Sequence, residues 1–330
     1  MMEYLSELKN CTLCEWKCGV DRLKGEFGVC ETGIPIVASK TLHPAPPKSF
    51  TIFMKGCNFR CLNCQNWDTA HGKSTDKSNF IEPADLAAGG FEKINSYSGK
   101  MIGADRLFFS GGSPTPSLPY IEKVVEEARE LEDVKVNYDT NGFMTKSSLK
   151  RVLEFTTSIT FDIKAYHDDV HRAITGAPVQ PVLRNVEYLV ENAMDELWEF
   201  RYLLIPGINV EDVFHLSRFL AYIDNDIPLN FLAFRPKFVM ENYRSAGRKD
   251  LEKAVKTAKD AGLKNVSWSG LTGIEGKKRV FEQGEYTHQG GKIAGRIAEE
   301  SGCVTHPRDC KSCPRLKGCK IKRYKPSRRT

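Results

Sequence analysis

Three cysteines constrain this chain more than any other feature. Cys57, Cys61 and Cys64 stand in the run Gly56-Cys57-Asn58-Phe59-Arg60-Cys61-Leu62-Asn63-Cys64-Gln65-Asn66, a C-x3-C-x2-C spacing that follows the apolar stretch Phe50–Met54. Three thiolates on one loop can hold a four-iron cluster and leave one iron without a protein ligand. An open iron can bind a small molecule, whereas a fully ligated cluster usually only passes electrons. Zinc or an unrelated cluster would accept the same thiolates, so the rest of the sequence must discriminate.

All 11 cysteines fall in clusters. Cys11, Cys14, Cys18 and Cys30 precede the central three, and Cys303, Cys310, Cys313 and Cys319 follow them. The odd total and the absence of an apolar signal-peptide core in Met1–Lys9 speak against a disulfide framework and for a cytoplasmic protein whose cysteines bind metal. Hydrophobic residues make up 41% of the 330 and charged residues 27%, enough for a sizeable core. No apolar run approaches the ~18 residues of a membrane span, so no membrane partner is expected. The net charge of +6 is concentrated at the end, where Lys311 to Arg329 holds no acidic residue. Such a tail could meet RNA or an acidic protein surface, although simple solubilisation is the plainer reading.

From residue 49 to about 270, short apolar runs alternate with amphipathic ones. Strands are expected at Phe50–Met54, Arg106–Phe109, Lys135–Tyr138, Ser158–Ile163, Phe200–Ile205, Asn230–Phe234 and Asn265–Trp268. Helices are expected at Tyr120–Leu131, Lys146–Phe155, Pro181–Glu191, Val213–Ile223 and Lys249–Ala261. This alternation predicts an α/β fold of βαβ units with a parallel sheet. Six or seven units suggest a partial or full (β/α) barrel. A doubly wound sheet is the alternative, but no G-x-G-x-x-G follows the first strand. Three regions result: a cysteine-rich metal-binding extension (1–48), the barrel (49–270) and a cysteine-rich, basic extension (271–330). The run from Pro35 to Pro47 reads as linker or loop.

The expected strand ends carry the remaining motifs, where barrels of this class place their chemistry. Ser110-Gly111-Gly112-Ser113 offers backbone groups to a ligand. Tyr138-Asp139-Thr140-Asn141-Gly142 follows the third expected strand. Asp162-Ile163-Lys164 follows the fourth, with His171 seven residues past the lysine. Arg201 lies in the fifth, ahead of Ile205-Pro206-Gly207-Ile208-Asn209. Asp139 and Asp162 could orient the lysine or help hold a cation. Lys164 is a compact positive charge. His171 could position a substrate or simply occupy a helix surface. Arg201, if buried, needs a partner, either a ligand carboxylate or an internal salt bridge.

These motifs together resemble the radical S-adenosylmethionine (SAM) superfamily, and within it the activating enzymes of glycyl-radical enzymes, of which the pyruvate formate-lyase activating enzyme is the type. The N-terminal cysteine run, Cys57 to Trp67 and Phe234-Arg235-Pro236 are similar to the PflX-type and AmmeMemoRadiSam-system radical SAM proteins. The resemblance covers roughly residues 11 to 270. It implies a [4Fe–4S] cluster on Cys57, Cys61 and Cys64, whose open iron binds SAM. It also implies SAM contacts from Asn63, Gly111, Gly112, Ser113, Asp139, Asp162, Lys164, His171 and Arg201. Two departures stand out. Asn63 replaces a usually aromatic residue that stacks near the adenine, and Ser113 replaces the glutamate of a Gly-Gly-Glu-type motif. The C-terminal cysteines also lie outside the usual pattern. Each outer group would hold an auxiliary iron–sulfur cluster or zinc. The implied activity is reductive cleavage of SAM under anaerobic conditions, with a ferredoxin or flavodoxin as electron donor. A protein or peptide substrate is favoured over RNA or a small molecule. A non-SAM electron-transfer or zinc-binding interaction protein would have no use for the strand-end motifs.

Overall fold

The computed structural model describes residues 3–72, 79–271, 287–305 and 307–323. Residues 272–286 of the C-terminal extension and residues 324–329 of the basic tail lie outside this set. The chain forms two compact units: residues 1–58 with 68–160, and residues 59–67 with 161–330. The division at 160/161 falls within one strand.

In the first unit, β1 (Val37–His43) pairs antiparallel with β2 (Ser49–Met54). β2 then pairs in parallel with β3 (Arg106–Gly111), and β3 with β4 (Lys135–Thr140). Besides the eight-residue 3-10 helix Glu3–Asn10 and two three-residue turns, Arg22–Lys24 and Thr115–Ser117, the helices described in this unit are α2 (Pro83–Asn95), α3 (Tyr97–Ile102), α4 (Leu118–Leu131) and α5 (Lys146–Phe155); the four-residue α1 (Trp67–Ala70) leads out of the cysteine loop. Leu118, Ile121, Val124, Val125 and Ala128 recur every three or four residues along α4 and are all buried, the stripe that lets a helix cover a sheet. Thr145 caps α5 by accepting the Ser148 backbone N–H at 3.3 Å. Ile52, Phe109 and Val136 on adjacent strands are fully buried.

The second unit follows the same plan. β5 (Ser158–Ile163) enters it, and β6 (Leu197–Leu204), β7 (Leu229–Ala233) and β8 (Val266–Ser269) pair in parallel in that order. Its helices are α6 (Asp168–Thr175), α7 (Gln180–Ala193), α8 (Asp212–Ile223), α9 (Arg248–Asp260), α10 (Gln289–Glu300) and the short α11 (Lys320–Arg323). Among the described residues the strand order does not reverse in either unit, so they show no switch point of the kind that marks a doubly wound sheet. The fold is α/β, with the sequential parallel strands of a partial (β/α) barrel and cysteine-rich segments at both ends. Among the described residues no helix is long and apolar enough to cross a membrane.

One expectation needs correction. The run from Pro35 to Pro47, read as linker, contains β1. Its seven residues are half-buried or exposed throughout, and its register slips between Val37 and Ser39. An edge strand that buries no face leaves no alternating apolar signal.

Candidate active site

β2 ends at Met54 and leads into the cysteine loop through Gly56. The Gly112 N–H donates to Met54 O at 3.0 Å and the Ser113 N–H to Gly56 O at 2.9 Å. A Cβ on Gly111 would run into the Met54 backbone, and one on Gly112 into Gly56 O and the Ala70 Cα. The paired glycines are therefore required for the loop after β3 to lie against the start of the cysteine loop. Gly112→Ala should cost roughly 1–3 kcal/mol as an overpacking change with backbone on both sides. Urea unfolding would show it as a lower midpoint; an unchanged midpoint would mean the loops can separate freely. Ser113 is buried, and its Oγ meets no partner among the described residues.

Cys57 is buried on a frame of amides. Asn141 Nδ2 lies 3.8 Å from Cys57 Sγ and donates to Asn58 Oδ1 at 2.7 Å. Asn58 Nδ2 in turn donates to Phe143 O at 2.9 Å, and Trp16 Nε1 to Asn58 O at 2.7 Å. Asn58, Asn141 and Trp16 were not singled out as site residues, although both asparagines sit inside the quoted motifs. The Asp139 carboxylate accepts the Ser110 hydroxyl at 2.6 Å.

The N-terminal cysteines attach to the same unit. Cys14 forms an isolated bridge with Met144, and the Thr145 N–H donates to Leu13 O at 3.2 Å. Burial, then the neighbouring Cys30, push the Cys14 thiol well above its ordinary range, with smaller contributions from Cys18 and Cys11. These four sulfurs thus share one electrostatic neighbourhood. Arg22, 1% exposed, ties the segment down. It donates to Thr32 O at 2.9 Å, to Pro116 O at 2.6 Å and to Cys11 Sγ at 3.6 Å.

In the second unit, Cys61 and Cys64 are half-buried and Asn63 is buried. Asn63 Oδ1 meets no partner among the described residues. Asp162 at the end of β5 bridges Lys164 Nζ and Arg201 Nε, each at 2.9 Å. Arg201 therefore has an internal carboxylate partner. Burial opposes ionisation of Asp162, but the Arg201 and Lys164 charges outweigh it and hold the carboxyl below its usual range. Burial likewise opposes the charge on Lys164, yet Asp162 and then Cys61 raise its pKa. The lysine thus feels a cysteine of the central motif.

His171 is fully buried in α6 rather than on its surface. The Nδ1 atom lies 2.7 Å from Ala177 O and therefore carries the proton, while Nε2 has no partner among the described residues. Burial lowers its pKa to about 4, against the opposing pull of the Ala177 carbonyl. A histidine depressed in the folded state stabilises fully above its unfolded pKa of ~6.5 and loses that contribution as pH falls toward the folded value. A gap of this size corresponds to about 3 kcal/mol. Urea unfolding at several pH values should show His171→Gln with a flatter dependence between pH 6.5 and 4 than the unchanged chain. Parallel curves would contradict the assignment.

A second histidine group was not foreseen from the sequence. His167 Nδ1 lies 2.6 Å from Asp212 Oδ1, and His288 Nδ1 lies 2.7 Å from Asp169 Oδ1. The two rings stack with centroids 3.9 Å apart. The Asp169–His288 contact spans 119 positions, so no local motif could announce it.

None of the eleven cysteines is in a disulfide. Cys303, Cys310, Cys313 and Cys319 line one cavity of the second unit. Among the described residues, no three histidine, cysteine, aspartate or glutamate side chains are gathered as ligands of a single metal ion.

The family model described as the radical SAM superfamily matches residues 51–220, just over half of the chain. An uncharacterised protein of Methanocaldococcus jannaschii is 25% identical over 273 residues, covering 77% of this chain and 76% of that protein. The pyruvate formate-lyase-activating enzyme of Staphylococcus aureus is 26% identical over 189 residues, covering 54% of this chain and 72% of the relative. The crystal structure of a domain of pyruvate-formate lyase-activating enzyme from Bacteroides vulgatus aligns with a TM-score of 0.44 at 19% identity, covering 51% of this chain and all of that one. With the triple-cysteine loop at the end of β2 and the family match running from that strand through α8, the chain belongs to the radical SAM superfamily and is an enzyme of that class, with a [4Fe–4S] cluster and SAM as its cofactors.

Proposed function

We propose that this enzyme uses SAM to abstract hydrogen from a protein or peptide, as part of a post-translational modification of the kind performed on glycyl-radical enzymes or a related one. The carrying observation is the carboxylate-bridged pair Lys164–Asp162–Arg201, whose lysine feels the charge of Cys61. These residues belong to the motifs shared with activating enzymes, and a relative bearing that name covers over half of the chain.

The residues fit the cofactors. Three thiols on one loop supply the donor set, and two buried polar atoms lacking protein partners, Ser113 Oγ and Asn63 Oδ1, remain to meet a ligand. In this reading Cys57, Cys61 and Cys64 hold the cluster. Gly111 and Gly112 bring backbone groups to the amino end of SAM, with Ser113 offering a hydroxyl where a carboxylate is absent. Lys164 and Arg201, held by Asp162, present positive charge to an anionic group of the ligand. Asp139 and His171 act behind them, Asp139 by fixing Ser110 and His171 by packing α6. When bound, the cluster and SAM would supply one-electron reductive cleavage of SAM and hence the hydrogen-abstracting radical chemistry. The protein's part is to orient SAM, exclude water and present the substrate C–H bond. A ferredoxin or flavodoxin would supply the electron. The outer cysteine groups would hold auxiliary clusters or zinc.

The substrate class can be tested by isotope transfer. The enzyme would be run with SAM and dithionite on extracts of cells grown in deuterated medium, separated into protein, RNA and small-molecule fractions. Deuterium should enter 5′-deoxyadenosine from the protein fraction. Transfer from the RNA fraction alone would overturn the peptide reading.

A further inference from the structure

Two features of the second unit have no part in the site described above: the turn Ile205-Pro206-Gly207-Ile208-Asn209 after β6, and the stacked rings of His167 and His288. Both meet the start of α10, a helix that lies beyond residues 51–220 of the family match.

Gly290, in the first turn of α10, packs against the backbone of Ile208. A Cβ there would lie 1.6 Å from Ile208 O and 2.5 Å from its carbonyl carbon, the tightest approach of any glycine among the described residues. Backbone stands on both sides of this contact, so no side-chain rotation can relieve it. Gly290, Gly291, Ala294 and Gly295 are all buried, and α10 packs on α6.

The residue after Ile208 holds the backbone of Lys164. Asn209 is fully buried. Its Oδ1 accepts the Ile205 N–H at 2.7 Å, and its Nδ2 donates to Leu203 O at 2.8 Å and to Lys164 O at 3.1 Å. Asn209 thereby ties the end of β6 to the end of β5. The histidines hold the other side of Lys164. Asp212, 1% exposed, accepts the Tyr166 N–H at 2.7 Å and the His167 N–H at 3.1 Å, and its other oxygen faces His167 Nδ1 at 2.6 Å. The segment just past Lys164 is thus pinned to the start of α8. His288 lies against it with the rings 3.9 Å apart. His288 is itself fixed by Asp169, which accepts its N–H at 2.8 Å and faces its Nδ1 at 2.7 Å. The start of α10 therefore bears on both segments that hold Lys164.

We propose that the start of α10 positions Lys164 for its ligand, with Gly290 and His288 as positioning residues that act through the backbone. The proposal rests on the reading of Lys164 as a contact to an anionic group of SAM. A lysine carries its charge on a flexible four-carbon stem. Asp162 fixes the ammonium end at 2.9 Å, and α10 fixes the backbone end. A helix outside the family match would in this way govern how tightly SAM is held.

The test uses the full, iron-loaded chain with Gly290→Ala, His288→Ala, Lys164→Ala and the double variant of the last two. With dithionite present, the KM for SAM in 5′-deoxyadenosine formation should rise about tenfold in Gly290→Ala and in His288→Ala, because a misplaced contact is felt at a distance. The kcat should change little, the sign of lost ground-state binding. The double variant should be no weaker than Lys164→Ala alone, since the helix then has no lysine to position. Hydrogen exchange without SAM gives a reading independent of activity. The peptide 162–168, whose Tyr166 and His167 N–H groups are held by Asp212, should exchange faster in both α10 variants. An unchanged KM in Lys164→Ala would overturn the reading of that lysine, and the proposal with it. A raised KM in Lys164→Ala beside an unchanged KM in His288→Ala would overturn the proposal alone, whether or not Gly290→Ala folds. Unchanged exchange in His288→Ala, or additive losses in the double variant, would overturn it as well.

Discussion

Cys57→Ala is expected to abolish 5′-deoxyadenosine formation from SAM. Cys57 is the first of three thiols on one loop, and the only one of them in the first unit. If Cys57, Cys61 and Cys64 hold the cluster as proposed, the loss of one leaves two irons without a thiolate, and such a cluster is not retained. The iron content should fall by about four per chain. The fold should survive, because a buried cysteine behaves as a small apolar side chain and alanine replaces it with the loss of one sulfur. The Asn141–Asn58–Phe143 chain of hydrogen bonds persists without the thiol. A folded Cys57→Ala protein that still cleaved SAM would place the chemistry elsewhere.

The second large effect is expected from Asp162→Asn. Asp162 is the shared carboxylate between Lys164 and Arg201, and all three side chains are only about a fifth exposed, at 21%, 19% and 20%. Asparagine keeps the shape and one hydrogen-bond acceptor but leaves two cations facing each other without compensation. Breaking a buried ion pair on one side costs 3–5 kcal/mol; the partial exposure here places the expected loss at about 3 kcal/mol. The sign of the pH dependence follows from the lowered pKa of Asp162. A depressed carboxylate contributes fully above its unfolded value of ~3.9 and loses that contribution as pH falls through the folded value. The stability gap between the two proteins should be flat from pH 5 to 8 and close only below about pH 4. SAM affinity should fall in parallel if Lys164 and Arg201 need this bridge to stay in position. Equal stability at pH 7, measured by urea unfolding, would contradict the account of the triad.

The sequence carried the barrel plan because strands such as β2, β3 and β5 are buried on both faces. Runs such as Leu107-Phe108-Phe109 and Ile159-Thr160-Phe161 stand out without any partner being known, and the seven expected strands all form. β1 did not announce itself because it buries neither face. The central motif was equally legible, since its three cysteines lie within eight positions of one another.

Contacts between distant segments were not legible. Arg201 needed a partner on either reading, and only the fold shows that Asp162, 39 positions away, supplies one. His171 could be placed on a helix, but its complete burial depends on how α6 packs. The pairing of Arg308 with Arg60 O spans 248 positions, so no local pattern marks Arg308 as a structural arginine. The four C-terminal cysteines were recognisable as a group, but their sharing of a cavity with Arg60 and Arg308 was not.

The most direct test of the central claim is anaerobic. The iron-loaded protein is reduced with dithionite in the presence of SAM, and 5′-deoxyadenosine is measured by chromatography. The account predicts its formation in the unchanged protein and its absence in Cys57→Ala. A protein that holds its full iron content yet leaves SAM intact, with the proposed peptide fraction present, would contradict it.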